Sequence, residues 1–569
     1  MRNRHLCVFA LALLVAVSGA SAVEPASPAK PGHAAIASAH KLATAAGFEA
    51  LAQGGNAFDA AVAVAAALSV VEPQSSGIGG GGMFLLHRAS DGKDFFIDAR
   101  ETAPAAVDPK DYLAANGDLD KDHSLNGPLS AAIPGEPAGL IWLAEHYGKL
   151  PLAKSMAPAI RIAREGFAID KRFADEAGYR KEIFERYAAS KALFLPNGDV
   201  PKAGWVFKNP DVAVTLELIA NKGFDGFYRG EFAQRLVDDV KKNGGRWSLE
   251  DLASYKVKER EPISFDYRPA GTAQTWRIVT APPPSSGGIA IQEMLNILSG
   301  YDLGKLDRAH RVHLTVEAMR RAYRDRAQYL GDPDFVKMPL NELSSPLYAA
   351  GLRATIHPEK ATPSDLLPPY MTPPQGPHTT HFSIIDKDGN RVSATQTVNF
   401  VFGSGMVVPG TGFLLNDEMD DFALVAGKPN VYGVVGTDAN APAAGRRPLS
   451  SMSPSFVVGD ERVGVIGTPG GSRIITMVLE GILAFIDGET PEKFVGNRRY
   501  HHQYMPDVIS AEKNAFTADE VKALEAMGHK VSESERTWGF MNAVSWDRKT
   551  GNLHAGTDPR QTSGGAEVK

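Results

Sequence analysis

The chain has 569 residues, 43% hydrophobic, 22% charged and 8% aromatic, which excludes a disordered, collagen-like or disulfide-stapled protein. A net charge of −6 without any basic stripe argues against a nucleic-acid partner. At roughly 150 residues per domain the length predicts three or four domains.

In chain order, the N-terminus reads as an export signal. Arg2, Arg4 and His5 precede the apolar run Leu6 to Val17, and Ala20-Ser21-Ala22 supplies a small-residue cleavage site. The run falls short of the roughly 20 residues a membrane span needs. Residues 1–22 are therefore expected to be removed, and the mature chain to be periplasmic or secreted. The only cysteine, Cys7, would leave with the signal, so no disulfide is available to the mature protein.

After a Pro/Ala-rich lead, Ala34 to Val71 reads as two helices separated by Gly54-Gly55-Asn56. The glycine run Gly77 to Gly82 follows, then a strand over Met83–Arg88, a turn at Asp91-Gly92 and a strand ending near Arg100. Residues 135–330 read as mostly helical, broken by the loop Pro282–Gly288. The segment 357–378 holds seven prolines in 22 residues, and proline lacks the amide donor and fixes φ. It reads as an extended, exposed linker. Thr379–Ile385 then alternates as a strand, Lys387-Asp388-Gly389-Asn390 is a hairpin turn, and Arg391–Val398 returns. Near the end, Arg462–Gly467 reads as a strand, Thr468–Ser472 as a loop and Arg473–Ile486 as a helix.

Several patterns resemble known chemistry and fail on context. Gly77–Gly82 fits G-x-G-x-x-G, but the order is helix, glycines, strand, whereas a dinucleotide site needs strand, glycines, helix. A tight passage beside a ligand or between layers fits better. His310, His313 and Glu317 share a helical face with metal-ligand spacing, but the arginines around them favour a solvated or salt-bridged face. No metal site is expected. The glycines of Pro469–Ser472 either aim amides at an anion or make a plain turn, and both readings stand.

Thr379-Thr380-His381 carries the sharpest signal. A threonine hydroxyl is a poor nucleophile without an adjacent base. An N-terminal threonine has one in its own amine, whose pKa of about 7.7–8.0 leaves it partly neutral near pH 7. That requires a cut between His378 and Thr379, at the end of the exposed linker. The hairpin brings Thr397 opposite Thr379 or Thr380, within a residue of register. An ordinary threonine-rich strand is the alternative.

The stretches GGNAFDAAVAVAAALSVVEPQSSGIGGGGMF, DARETAP, TTHFSIIDKDGN, GFLLNDEMDDF, RPLSSMSPS and TPGGSRIIT together resemble the γ-glutamyltranspeptidase (glutathione hydrolase) family. The resemblance spans nearly the whole mature chain. It implies an α+β fold, a four-layer αββα sandwich of the N-terminal-nucleophile hydrolase type. It also implies a precursor that cuts itself into a large subunit, 23–378, and a small one, 379–569, which share one interleaved domain. Carried over by position, Thr379 would be the nucleophile, Thr397 its support, and Gly470 and Gly471 the oxyanion donors. Arg100, Ser450 and Ser451 would hold the α-carboxylate of a γ-glutamyl group, and Asp421, with Asn399 and Glu418, its α-ammonium. Residues 430–445 resemble a lid. Glutathione or other γ-glutamyl amides would be donors, with water, amino acids or dipeptides as acceptors and no cofactor. The rival readings are a cephalosporin or glutaryl acylase, a poly-γ-glutamate-processing relative, and an exported binding protein that has lost catalysis. Asp421 opposes the first, because a glutaryl group has no amine to meet it. The lid-like segment opposes the second, and retention of Thr379 and Thr397 the third.

Overall fold

The computed structural model describes residues 30–367, 379–425 and 437–569. The signal, most of the proline linker with His378, and residues 430–436 lie outside them.

Two antiparallel sheets stack face to face. The first has seven strands in the order Gly565–Val568, Ala35–Ser38, Thr380–Ile385, Arg391–Thr397, Gly81–Arg88, Lys93–Ala99 and Lys258–Arg260. The second has six: Leu553–Thr557, Asn542–Asp547, Arg462–Gly467, Ser455–Val458, Trp276–Thr280 and Ile263–Tyr267. Strand side chains alternate between faces, and here both faces are covered. Ile36, Phe84 and Leu86 join a core with the helices Lys41–Ala52, Ala57–Val71, Glu136–His146 and Leu152–Glu165. Their neighbours Ala35, Ala37, Met83 and Leu85 point the other way, into a core with the second sheet. That core continues to the helices Gly287–Leu298, Arg308–Tyr329 and Ile474–Ile486. The result is the expected αββα order.

Ala57–Val71 lies at the centre of the first helical layer, and every one of its residues is buried. Its alanines allow close approach on all sides. Asn56 and Asp59 form a capping box at its start. The hairpin turn is tied to the same point: Asp386 accepts from the amides of Ala57, Asp388 and Asn390 at 2.9–3.0 Å. The turn thus fixes both the register of the hairpin and its position against the helix.

Three expectations need correction. Ala35–Ser38 is a strand, not the start of a helix, because it pairs on both sides with segments remote in sequence. The stretch 135–330 is helical only in part, since it contributes Lys258–Arg260, Ile263–Tyr267 and Trp276–Thr280 to the two sheets. Separate domains do not form either. The seven-stranded sheet alternates strands from before and after residue 378, so the chain builds one interleaved body.

Candidate active site

The site starts from the hairpin. Gln396 pairs with Thr380, which puts Thr397 beside Thr379, and their hydroxyls lie 3.3 Å apart. Side-chain alternation separates the two threonines in function. Thr380 Oγ1 donates to Glu72 at 2.6 Å on the far face, while Thr379 lines a cavity. Thr397 Oγ1 also accepts from the Asn399 amide at 2.8 Å. The glycine run passes directly beside this pair. A Cβ on Gly80 would sit 1.9 Å from the Thr397 carbonyl oxygen, so only glycine allows the strands to approach here.

The same cavity is lined by Arg100, Asn399, Glu418, Asp421, Ser450, Ser451 and Gly471. Gly470 is not on its wall. It takes φ +150°, and a Cβ there would meet Met477 Cε at 2.2 Å. Gly470 and Gly471 immediately precede the helix Ile474–Ile486, with the short turn Gly471–Arg473 between. Amides at such a helix entry have no intrahelical acceptor.

Arg100 directly follows the strand Lys93–Ala99 and is 1% exposed. Its guanidinium donates to Asp421 at 2.5 Å, forms an ion pair with Glu418, lies 3.5 Å from Glu101, and reaches the Pro448 carbonyl at 3.2 Å. Arg100 and Asp421, expected to hold opposite ends of one ligand, thus face each other directly. Burial works against the Arg100 charge, but Glu418, Asp421 and Glu101 outweigh it and raise its pKa. The acids are affected in the opposite sense. Burial pushes Glu418 well above the usual carboxylate range, and Arg100 offsets this only in part. Burial likewise raises Glu101 from 4.5 to about 7. One guanidinium thus faces three carboxyl groups, and burial favours the neutral form of Glu418 and Glu101.

The serine pair sits in a turn between Pro448 and the strand Ser455–Val458. Ser450 accepts from the Met452 amide at 3.1 Å, and Ser451 accepts from Arg326 at 3.1 Å. Sequence reasoning assigned Arg326 to a solvated or salt-bridged helix face. Instead it lines the cavity and is 5% exposed. A helical arginine carries no mark of whether it meets solvent, an acid or a cavity. Asn440, also missed, donates to the Asp421 carbonyl at 2.7 Å and lines the cavity from the lid-like segment.

The histidine pattern on the same helix resolves differently. His310 turns to solvent with Asp307 and Glu359, so it does not share a face with His313 and Glu317. His313, Glu317 and His529 come within 4.8 Å of one another. The Glu317 oxygens already accept from Arg320, Arg321 and the Thr362 amide. The two His313 nitrogens meet His529 and the His357 carbonyl. These contacts make the group a salt-bridged anchor.

Known proteins resemble this chain over most of its length. The family model described as gamma-glutamyltranspeptidase matches residues 43–568. The glutathione hydrolase proenzyme of Escherichia coli is 42% identical over 539 residues, covering 94% of this chain and 91% of its own. That of Pseudomonas aeruginosa is 41% identical over 568 residues, covering 98% of both. Among solved structures, a cephalosporin acylase from Bacillus halodurans superposes with a TM-score of 0.81 at 30% identity, over 97% of this chain and 99% of that one. A buried threonine pair at a strand start, a cavity shared by segments from both ends of the chain, and matches of this extent lead to one conclusion: the chain belongs to the γ-glutamyltranspeptidase family.

Proposed function

We propose that this chain is an exported γ-glutamyltransferase and glutathione hydrolase that matures by cutting itself between His378 and Thr379. The observation that carries the reading is the placement of Thr379. It directly precedes the strand Thr380–Ile385, 3.3 Å from the Thr397 hydroxyl, in a cavity with Arg100 and Asp421. No helix among the described residues is long and apolar enough to cross a membrane, and the N-terminal signal pattern supports export.

In maturation the Thr379 hydroxyl attacks the His378 carbonyl carbon. The peptide C–N bond breaks, an ester forms, and water opens it to leave a His378 carboxylate and a free Thr379 amine. In turnover the same hydroxyl attacks the γ-carbonyl of glutathione or another γ-glutamyl amide. The Thr379 amine takes the hydroxyl proton and gives it to the departing nitrogen. Water or an amino acid or dipeptide amine then attacks the γ-glutamyl ester, returning the proton to Thr379. Thr397 orients the nucleophile. The Gly470 and Gly471 amides meet the oxyanion of each tetrahedral intermediate. Arg100, Ser450 and Ser451 take the α-carboxylate, and Asp421, Glu418 and Asn399 the α-ammonium. A zwitterionic ligand can replace the Arg100–Asp421 pair by giving each a partner of opposite charge. The chemistry calls for no cofactor.

The test is a denaturing gel with an activity assay. Wild type should run as two bands and release a chromogenic anilide from its γ-glutamyl conjugate, faster with a dipeptide acceptor. Thr379→Ala should stay one band and be inactive. If both proteins split alike, Thr379 is not the attacking group. The acylase alternative has the B. halodurans likeness in its favour. It predicts better turnover of a glutaryl than of a γ-glutamyl anilide.

A further inference from the structure

The cavity contains two arginines in opposite electrostatic situations. Arg100 is enclosed by Glu101, Glu418 and Asp421. Arg326, in the last turn of Arg308–Tyr329, has only hydroxyl partners. Its Nε donates to Ser286 Oγ at 2.8 Å and its Nη2 to Ser451 Oγ at 3.1 Å. Ser286 in turn donates twice to the Ser450 carbonyl, from Oγ at 2.7 Å and from its amide at 2.8 Å. One guanidinium thus braces both serines of the turn. Among the described residues no Asp or Glu forms an ion pair with Arg326, although it is 5% exposed. Asp421 acts on it only through space. A buried charge without a counterion is costly, and a carboxylate arriving in the cavity removes that cost.

We infer that Arg326 is a second, specificity-determining cation of the donor pocket, which braces Ser450 and Ser451 and presents uncompensated positive charge to the donor's α-carboxylate. The inference rests on the γ-glutamyl reading above. It divides the work between the arginines. Arg100 meets the carboxylate only by exchanging its contact with Asp421 for the ligand. Arg326 biases the pocket toward substrates with a carboxylate at the α-position.

The test uses the full chain carrying Arg326→Met or Arg326→Lys, with two anilides. One is γ-glutamyl; the other is 4-aminobutanoyl, which differs by lacking the α-carboxylate. Arg326→Met should raise KM for the γ-glutamyl anilide about 10- to 100-fold, the range of a charge-assisted hydrogen bond. Its kcat should change far less, and KM for the 4-aminobutanoyl anilide should stay within about two-fold. Arg326→Lys should recover part of the lost preference. Equal losses on both anilides, or an unmoved γ-glutamyl KM, overturn the inference. So does a folded variant that no longer splits into two bands, which would assign Arg326 to maturation. If Arg326→Met yields no soluble protein, Ser286→Ala decides. It removes the acceptor of the Arg326 Nε and one of the two hydrogen bonds to the Ser450 carbonyl, and should raise KM severalfold for the γ-glutamyl anilide alone; no rise overturns the inference. Wild type inert toward γ-glutamyl anilide defeats the parent reading itself, whereas an active wild type with a neutral Arg326 variant defeats only the role of Arg326.

Discussion

The two buried charge clusters centred on Arg100 and on Glu317 are balanced differently. Around Arg100, one guanidinium faces Glu101, Glu418 and Asp421. Around Glu317, two acids meet two guanidiniums: Arg321 reaches Glu317 at 2.7 Å, and Arg320 spans Glu317 and Asp507. Burial acts on both clusters to push carboxyl pKa values up. In the second, Arg320 and Arg321 overcome it and hold Glu317 below its usual value. In the first, burial wins and Glu418 and Glu101 rise. The balanced cluster ties the start of the proline-rich linker to the body: the Thr362 and Ser364 amides donate to Glu317 and Asp507 at 3.0 and 2.7 Å. The unbalanced one opens on a cavity, where excess acid favours a cationic guest. Charge balance thus separates an anchor from a binding site when burial alone does not.

The sharpest way to break this contrast is to unbalance the anchor. Glu317→Gln leaves two buried arginines short of an acid and should cost about 3–5 kcal/mol of stability. Denaturant midpoints measure this, and activity per folded molecule should hold. An unchanged midpoint would remove the anchor role. Asp421→Asn should do the reverse. We expect kcat/KM for a γ-glutamyl anilide to fall about 100-fold, with little change for a glutaryl anilide and little loss of thermal stability. Equal losses on the two substrates would show that Asp421 does not meet the ammonium.

Glu101→Gln sharpens the protonation side. The folded pKa of Glu101 is raised from 4.5 to about 7, so its contribution to stability is complete below 4.5 and lost as pH rises through about 7. Melting curves of variant and wild type should therefore diverge in favour of the variant across that window. Parallel curves contradict the raised value. The smallest effect belongs to His529→Ala, which deletes the 2.8 Å bond to His313 and should cost about 1 kcal/mol. Burial lowers His529 from 6.5 to about 3. Wild-type stability should thus fall as pH drops through that range, and the variant's should fall less.

Legibility in the sequence followed the range of the interactions. The hairpin was readable because Lys387-Asp388-Gly389-Asn390 sets its turn locally, and Thr397 fell where the register predicts. The strand Ala35–Ser38 was hidden. Alanine favours helix, and its partners, Thr380–Ile385 and Gly565–Val568, lie hundreds of residues away. Most residues of the cavity were found through motif resemblance. Their joint placement was not visible in spacing, and Arg326 belonged to no motif. The Arg100–Asp421 contact was also unforeseen, because matching residues to a ligand says nothing of what they do to each other.

The seven-stranded sheet places Ala35–Ser38 between Thr380–Ile385 and Gly565–Val568. With the proposed cut before Thr379, a strand of one fragment would be clasped on both edges by strands of the other. The order of events in the molecule's life is then constrained. While the backbone is continuous, assembly of that sheet is a first-order process with a high effective concentration. After the cut the same assembly becomes a bimolecular encounter between two incomplete halves. The uncut chain has to reach its final form before it breaks its own backbone, and a mature molecule that melts should recover its fold far less readily than its precursor did. Scission converts a reversible fold into one whose persistence is kinetic.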